Sequence, residues 1–358
     1  MLRCALALVP RPSVALQGWI PAVRCFAVGG NHMALIRELR EASGAPISDV
    51  KAALQQADWD MDLAAQELRK KGVASAGKKA TRTAAEGLVG VASSELGAAV
   101  VEVNSETDFV PRNDNFRALV RAAAAAALEV APAGPAPSAS HGLPLDRLLS
   151  AKTPGGESLE DAVANVAGTV RENVRLRRAF FLPRPTGGVV ASYLHQGAGE
   201  GLGRIAALVV LAPRDPGAEL AGPAAEAAAD LARKLGMQVV ASAPRFLDRE
   251  GVDPVAVEEE RQVLRSQALG SGKPASIVDK MVMGRLQKFY QEVCLLEQPF
   301  VMDDSKRVQD VVRELGEALG VPLHLPAFLR VKVGEGVDRD AKDFAAEVAA
   351  TLAEAGKA

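Results

Sequence analysis

Cysteine is scarce in this sequence: 358 residues carry three, Cys4, Cys25 and Cys294. Two lie close to the N-terminus, which leaves Cys294 alone in the remainder and excludes an internal disulfide framework. Histidine is almost as rare. His32, His141, His195 and His324 stand far apart, with no Cys or His at zinc-ligand spacing, so no metal site is expected. Neither sign of charge dominates. A formal net charge of −2 speaks against the broad basic field of a general nucleic-acid binder and for a protein partner. No uninterrupted apolar run reaches about 18 residues, so no membrane-spanning helix is expected.

The fingerprints of catalysis and cofactor binding are missing too. There is no GxSxG element. The glycine-rich stretch from Gly197 to Gly203 lacks the dinucleotide spacing and leads into a strand pattern, so it reads as a flexible hairpin loop. Gly272-Lys273 looks like the end of a phosphate loop, but Pro274 stands where Ser or Thr is required and Gln267 where the first glycine belongs. No cofactor and no catalytic residue are expected. A lone His195 at a strand end reads as a structural or interface residue ahead of a catalytic one.

Acid is absent from the beginning of the chain. Glu38 is the first, preceded by Arg3, Arg11, Arg24 and Arg37. A basic, acid-free leader reads as an organellar transit peptide over residues 1–32, although its serine content is low. The alternative is an uncleaved, irregular N-terminus. Arg24-Cys25-Phe26-Ala27 resembles a mitochondrial processing site.

What is present is ordinary globular composition, 48% hydrophobic and 24% charged. Residues 33–72 read as three short helices. Their apolar faces are Leu35, Ile36 and Leu39; then Val50, Ala53, Leu54 and Ala57; then Leu63, Ala64 and Leu68. Ser48 or Asp49 can cap the second helix and Asp60 the third. A basic Ala/Gly/Ser-rich linker over 73–86 follows. Strands are expected over 88–92 and 98–103, with a helix over 113–127 and a Pro-rich loop over 131–142. Further helical segments are expected over 145–149 and 159–173.

A second sheet region is expected from near Val174, with strands over 189–195, 204–211, 238–241 and 328–333 and helices over 224–235 and 306–319. Two long helical patterns, 253–269 and 273–290, flank Gly270-Ser271-Gly272 and should fold back as a hairpin. Both halves contain strands plus helices, which hints at an internal duplication.

The stretch from Val103 to Asn113 follows a strand and precedes a helix. One reading is capping, with Thr107 or Asp108 starting the helix and Phe109 packing inward. The other is a wedge: an acid and a large aromatic, side by side at a loop apex, can enter a partner's cleft.

Glu102-Val103-Asn104-Ser105-Glu106-Thr107-Asp108-Phe109-Val110 resembles the signature of the elongation factor Ts family. Residues 35–54 resemble that family's N-terminal helical module. Gly272-Lys273-Pro274, Gly284-Arg285, Gln298-Pro299-Phe300-Val301 and Val333-Gly334-Glu335-Gly336 resemble its C-terminal half. The likeness runs from Met33 to the end, and Arg82-Thr83-Ala84-Ala85-Glu86-Gly87 is similar to the plant-type mitochondrial branch. Ser105, Glu106 and Pro111 depart from some bacterial forms.

The resemblance implies an α+β fold: a UBA-like three-helix module over 33–72, and a two-part core with antiparallel sheets over 87–173 and 174–358. It also implies a coiled-coil helical hairpin at about 253–290, for which core packing is the alternative. It further implies guanine-nucleotide exchange on mitochondrial elongation factor Tu in the mitochondrial matrix, without direct contact to nucleic acid or membrane. Thr107, Asp108, Phe109 and Val110 would dislodge the partner's magnesium ion, with His195 and Gly197 as further partner contacts. A passive binding module or chaperone is the rival reading.

Overall fold

The computed structural model describes residues 32–79, 81–132, 141–269 and 275–337. The leader up to residue 31, most of the 131–142 loop and the Gly270-Ser271-Gly272 turn lie outside these residues.

Three helices open the described chain: α1 (His32–Ser43), α2 (Ile47–Gln56) and α3 (Met61–Lys79). Ile36, Leu39, Val50, Ala53, Leu54, Ala57 and Ala64 form their shared core, as the apolar spacing predicts. Leu63 is an exception: it is exposed. Asp60 Oδ1 accepts from Leu63 N at 2.9 Å and so caps α3, whereas α2 has no side-chain cap. Asp49 instead faces Lys71 Nζ at 2.7 Å and Arg171 Nη2 at 2.5 Å.

The third helix does not stop at Gly72; it runs on to Lys79 through much of the expected linker. Gly72 is tolerated there because it lies against Gly168 of α6 (Leu159–Val170). A Cβ on Gly168 would come within 2.6 Å of the Gly72 Cα. Arg69 ion pairs with Glu157 (3.4 Å) and Asp161 (3.3 Å) fasten the same seam.

The first half of the core is a five-stranded sheet with order β3-β4-β2-β1-β6. Its members are β1 (Glu86–Ser94), β2 (Gly97–Ser105), β3 (His141–Gly142), β4 (Arg175–Pro183) and β6 (Leu202–Gly203). Helices α4 (Asp114–Val130), α5 (Leu145–Ser150) and α6 cover one face. The alanine run of α4 has a packing reason: Ala123, Ala124, Ala126 and Ala127 are buried, and a Cβ on Gly90 of β1 would meet Val120 Cγ1 at 2.7 Å. Small residues on both surfaces let helix and sheet approach closely.

The second half repeats this plan. Strand β5 (Val189–His195) pairs with β7 (Ile205–Pro213); α7 (Pro223–Ser242) follows, and β11 (Phe328–Lys332) returns to pair with β7. In the first half β1 pairs with β2, α4 follows, and β4 returns to β2. The duplication hinted at by the sequence is therefore present in the topology. The short β10 (Leu323–His324) extends the second sheet along β7.

Strand β4 corrects the expected start of the second sheet near Val174, because it pairs with β2. Residues 238–241, expected as a strand, are the last turns of α7. Val239 and Val240 favour strands locally, but Leu231, Leu235 and Val239 recur at helical spacing on the buried face.

The two sheets pack face to face. Val89, Ala98, Val100 and Leu182 meet Ala206, Leu208, Val210 and Val331 between them. Alternate residues of β7, Ala207, Val209 and Leu211, point the other way toward α7 and α10 (Val308–Leu319). Strands buried on both faces read as near-continuous apolar runs, which β2 and β7 are. The helix α10 starts at Val308 rather than at residue 306 because β8 (Pro299–Phe300) pairs with β9 (Asp303–Arg307) just before it. Helices α8 (Pro254–Leu269) and α9 (Ala275–Val293) lie side by side around their own small core of Leu264, Val278, Val282 and Leu286. Among the described residues, no helix is long and apolar enough to cross a membrane.

One buried charge joins the halves. Glu102 of β2 has no exposed surface. Register slips between Glu102 and Val103, so that Glu102 faces Arg178, Val103 faces Leu176, and Arg177 is the extra residue. This bulge lets two consecutive arginines reach one carboxylate. Arg177 Nη1 donates to both oxygens at 3.2 Å, and Arg178 Nε donates at 2.5 Å. Asn104 Nδ2 (3.0 Å) and Gly334 N (2.8 Å) donate as well. Gly334 follows β11 with φ +71°, and a Cβ there would lie 2.2 Å from Ala85 O, so the approach requires glycine.

Two outcomes follow. Glu102→Ala leaves the arginines without their carboxylate and lowers unfolding stability by about 3 kcal/mol, read from urea denaturation. The second concerns Asp49, whose carboxyl is held below its usual range chiefly by the Lys71 hydrogen bond. Its stabilisation is complete above the unfolded value of about 3.9 and is lost as pH falls through the lower folded value. Asp49→Asn lowers stability by about 1 kcal/mol at neutral pH and leaves it unchanged in strong acid, followed by Trp59 fluorescence.

Candidate functional site

Strand β2 ends at Ser105, which is buried and donates its Oγ to Thr107 O at 3.0 Å. Five residues later Val110 is buried again, at 6% exposure, and starts a short 3-10 turn with Pro111 and Arg112. Between these two anchors the chain must leave the sheet and return. Asp108 and Phe109 occupy the apex, and the Phe109 side chain is 70% exposed. Arg112 lies beside both: its Nη2 is 3.9 Å from Asp108 Oδ2 and its guanidinium is 5.8 Å from the Phe109 ring centre. Exposed contacts of this kind are worth about 0.2–1 kcal/mol each, so a partner can replace them readily.

The capping reading of this stretch does not hold. The cap of α4 is Asn113, whose Oδ1 accepts from Asn115 N (2.9 Å) and Phe116 N (3.3 Å). Thr107 is engaged elsewhere. Its amide and hydroxyl both donate to Glu172, at 2.9 and 2.6 Å. Glu106 reciprocates by accepting from Asn173 N at 2.6 Å, and Asn173 Nδ2 donates to Arg82 O at 2.6 Å. The apex thus stands on a base of carboxylate hydrogen bonds. The sequence reading did not find Glu172 and Asn173. They lie 65 or more positions from their partners, and no local pattern marks such a pairing.

His195 is the last residue of β5 and is exposed. Its Nδ1 lies 3.4 Å from the Tyr193 hydroxyl, and its carbonyl accepts from Arg204 N at 3.1 Å. Gln196 then takes φ +51°, and Gly197 opens the loop. This loop is less free than its glycines suggest: Leu202-Gly203 pairs with β1, and Val91 N donates to Gly201 O at 2.8 Å. Among the described residues, no hydrogen bond or ring contact joins His195 or Gly197 to the 107–110 apex. The structure therefore gathers Thr107, Asp108, Phe109 and Val110 and keeps His195 and Gly197 on a separate loop.

Among the described residues, no group of His, Cys, Asp and Glu is arranged to hold a metal ion. Cys294 is buried; burial pushes its thiol up to about 11, which makes it a poor nucleophile. What the arrangement offers is an aromatic ring and a carboxylate, both accessible, on a backbone held at each end. That suits mechanical displacement of groups on another molecule.

The family model described as "Elongation factor TS" matches residues 106–335, more than half of the chain. The chain is 43% identical to "Elongation factor Ts, mitochondrial" of Ostreococcus tauri over 349 residues, covering 94% of this chain and 98% of the relative. It is 46% identical to "Elongation factor Ts" of Gluconobacter oxydans over 318 residues, covering 88% and 96%. The mitochondrial protein of Oryza sativa is 43% identical over 315 residues, covering 86% and 84%. This chain belongs to the elongation factor Ts family.

Proposed function

We propose that this chain is a guanine-nucleotide exchange factor for elongation factor Tu in mitochondrial translation, and that it works without covalent chemistry of its own. The observation that carries the mechanism is the Asp108–Phe109 pair, exposed at the apex of a loop whose base is hydrogen-bonded to Glu172 and Asn173. Family membership supports the choice of partner. The mitochondrial names of the Ostreococcus and Oryza relatives, together with the basic leader, support the compartment, and we assign it to the matrix.

The partner's nucleotide pocket is vulnerable to a small intrusion. Magnesium demands a near-ideal octahedron and is held by few protein groups together with nucleotide phosphates. A ring and a carboxylate pressed against the loop that bears those groups disturb the octahedron and weaken the hold on GDP. Val110 and Thr107 keep the wedge from folding back. The factor stabilises the nucleotide-free partner, and linkage makes the effect reciprocal: whatever the factor does to nucleotide affinity, nucleotide does to the affinity for the factor. GTP binding therefore expels the factor and completes the cycle. In this reading the α1–α3 module and the core grip the partner's nucleotide domain, and His195 and Gly197 add contacts from the second loop.

Fluorescent GDP released from loaded elongation factor Tu is the direct measurement. The chain should accelerate release strongly, whereas a passive binder or chaperone leaves the off-rate unchanged. Phe109→Ala and Asp108→Ala should each slow stimulated release about tenfold, equivalent to about 1.4 kcal/mol. Both side chains are exposed, so unfolding stability should stay within about 0.5 kcal/mol of the parent. Normal release by both variants would sink the wedge mechanism. His195→Ala should weaken the complex modestly and preserve exchange.

A further inference from the structure

We propose that Glu172 is the positioning residue of the wedge: its carboxylate holds Thr107 so that Asp108 and Phe109 are presented in the geometry that drives release. This rests on the exchange reading above and names a residue on another element through which that site acts. Glu172 does not touch the nucleotide pocket in this scheme; it acts through Thr107.

The geometry is specific. Thr107 offers two donors, its amide and its hydroxyl, and Glu172 accepts each with a different oxygen, at 2.9 and 2.6 Å. A two-point contact fixes orientation as well as distance, which a single hydrogen bond does not. Beside it Glu106 returns a bond from the loop to Asn173 N at 2.6 Å, so the two segments clasp each other. Among the described residues, the Asp108 and Phe109 side chains hold only the loose Arg112 contacts, at 3.9 and 5.8 Å, and the Phe109 carbonyl accepts from Arg112 N at 3.0 Å. The side-chain hydrogen bonds that define the loop therefore lie at its base.

The backbone around Glu172 is built for this role. Helix α6 ends at Val170, and Arg171 adopts the left-handed conformation with φ +60° and ψ +26°. A residue with a side chain is uncommon there, because its Cβ crowds the neighbouring carbonyl. The reversal turns the chain out of α6 at the point where Glu172 meets Thr107. Arg171 also reaches Asp49 of α2 at 2.5 Å, so the same three-residue turn touches the helical module on one side and the wedge on the other. The two surfaces proposed to grip the partner are thus referenced to a single turn.

The test compares Glu172→Ala, Glu172→Gln, Phe109→Ala and the Glu172→Ala/Phe109→Ala double variant. GDP release from loaded elongation factor Tu is measured against factor concentration. Glu172→Ala should lower the maximal release rate about tenfold to a hundredfold, as loss of orientation does, with the half-saturating concentration changed less than about twofold. Glu172→Gln keeps one acceptor oxygen and should recover part of the rate.

In the Phe109→Ala background, Glu172→Ala should have a clearly smaller further effect, limited to the Asp108 carboxylate that it still positions. Normal release by Glu172→Ala while Phe109→Ala is slow would overturn the positioning role and leave the exchange reading standing. Equal losses from Glu172→Ala in both backgrounds would also overturn it, since that marks general structural damage. Normal release by Phe109→Ala would remove the ring as the positioned group and overturn the positioning role as proposed.

Discussion

The buried carboxylate of Glu102 is the contact on which the arrangement of this molecule rests. A charge taken out of water is tolerated only when its lone pairs are filled, and Glu102 receives donors from Arg177, Arg178, Asn104 and Gly334. Those donors come from its own strand, from the neighbouring β4 and from the turn after β11. The charge therefore couples strands of the first sheet to the far end of the second. Arg177 and Arg178 extend the linkage to the carbonyls of Glu335 and Lys332. Ser105 ends the same strand, and Thr107 and the apex follow directly after it, so whatever holds Glu102 also holds the foot of the loop.

From that foot outward the interactions weaken in a graded way. The strand is a full ladder partner on both sides, to β1 and to β4. The base of the loop is a clasp of charge-assisted hydrogen bonds, to Glu172 and from Asn173. The tip has a long ion pair and a ring contact open to water. In the proposed exchange mechanism, such a gradient lets a partner take hold of Asp108 and Phe109 without undoing the scaffold. The duplicated halves serve this arrangement by burying β2 and β7 from both faces, which makes the sheets stiff supports.

Much of the fold was legible because periodicity and punctuation are local. The spacing of Ile36, Leu39, Val50 and Leu54 marked the helical module. The apolar runs of β2 and β7 marked strands, and β5 was placed at its observed limits. Misreadings arose where a distant contact outweighed local preference. Gly72 continued a helix because Gly168 waits opposite it. Residues 238–241 stayed helical because Val239 completes a buried stripe. Strand β4 joined the first sheet because β2 offered it a free edge. At the site, the Thr107–Val110 segment stood out, but both capping and projection fitted its residue types. Asn113, two residues beyond Pro111, took the capping role and left Phe109 outward.

By itself the sequence determined the α+β class, the family likeness, the balanced charge and scarce thiols, and the segment on which a site could form, since each depends on residue type and near spacing. Only tertiary structure decided that Phe109 points to solvent, that Arg177 and Arg178 share one carboxylate, and that Glu172 holds Thr107. Those outcomes depend on hydrogen-bond partners and packing surfaces that are brought together from far along the chain, and short-range pattern carries no record of them.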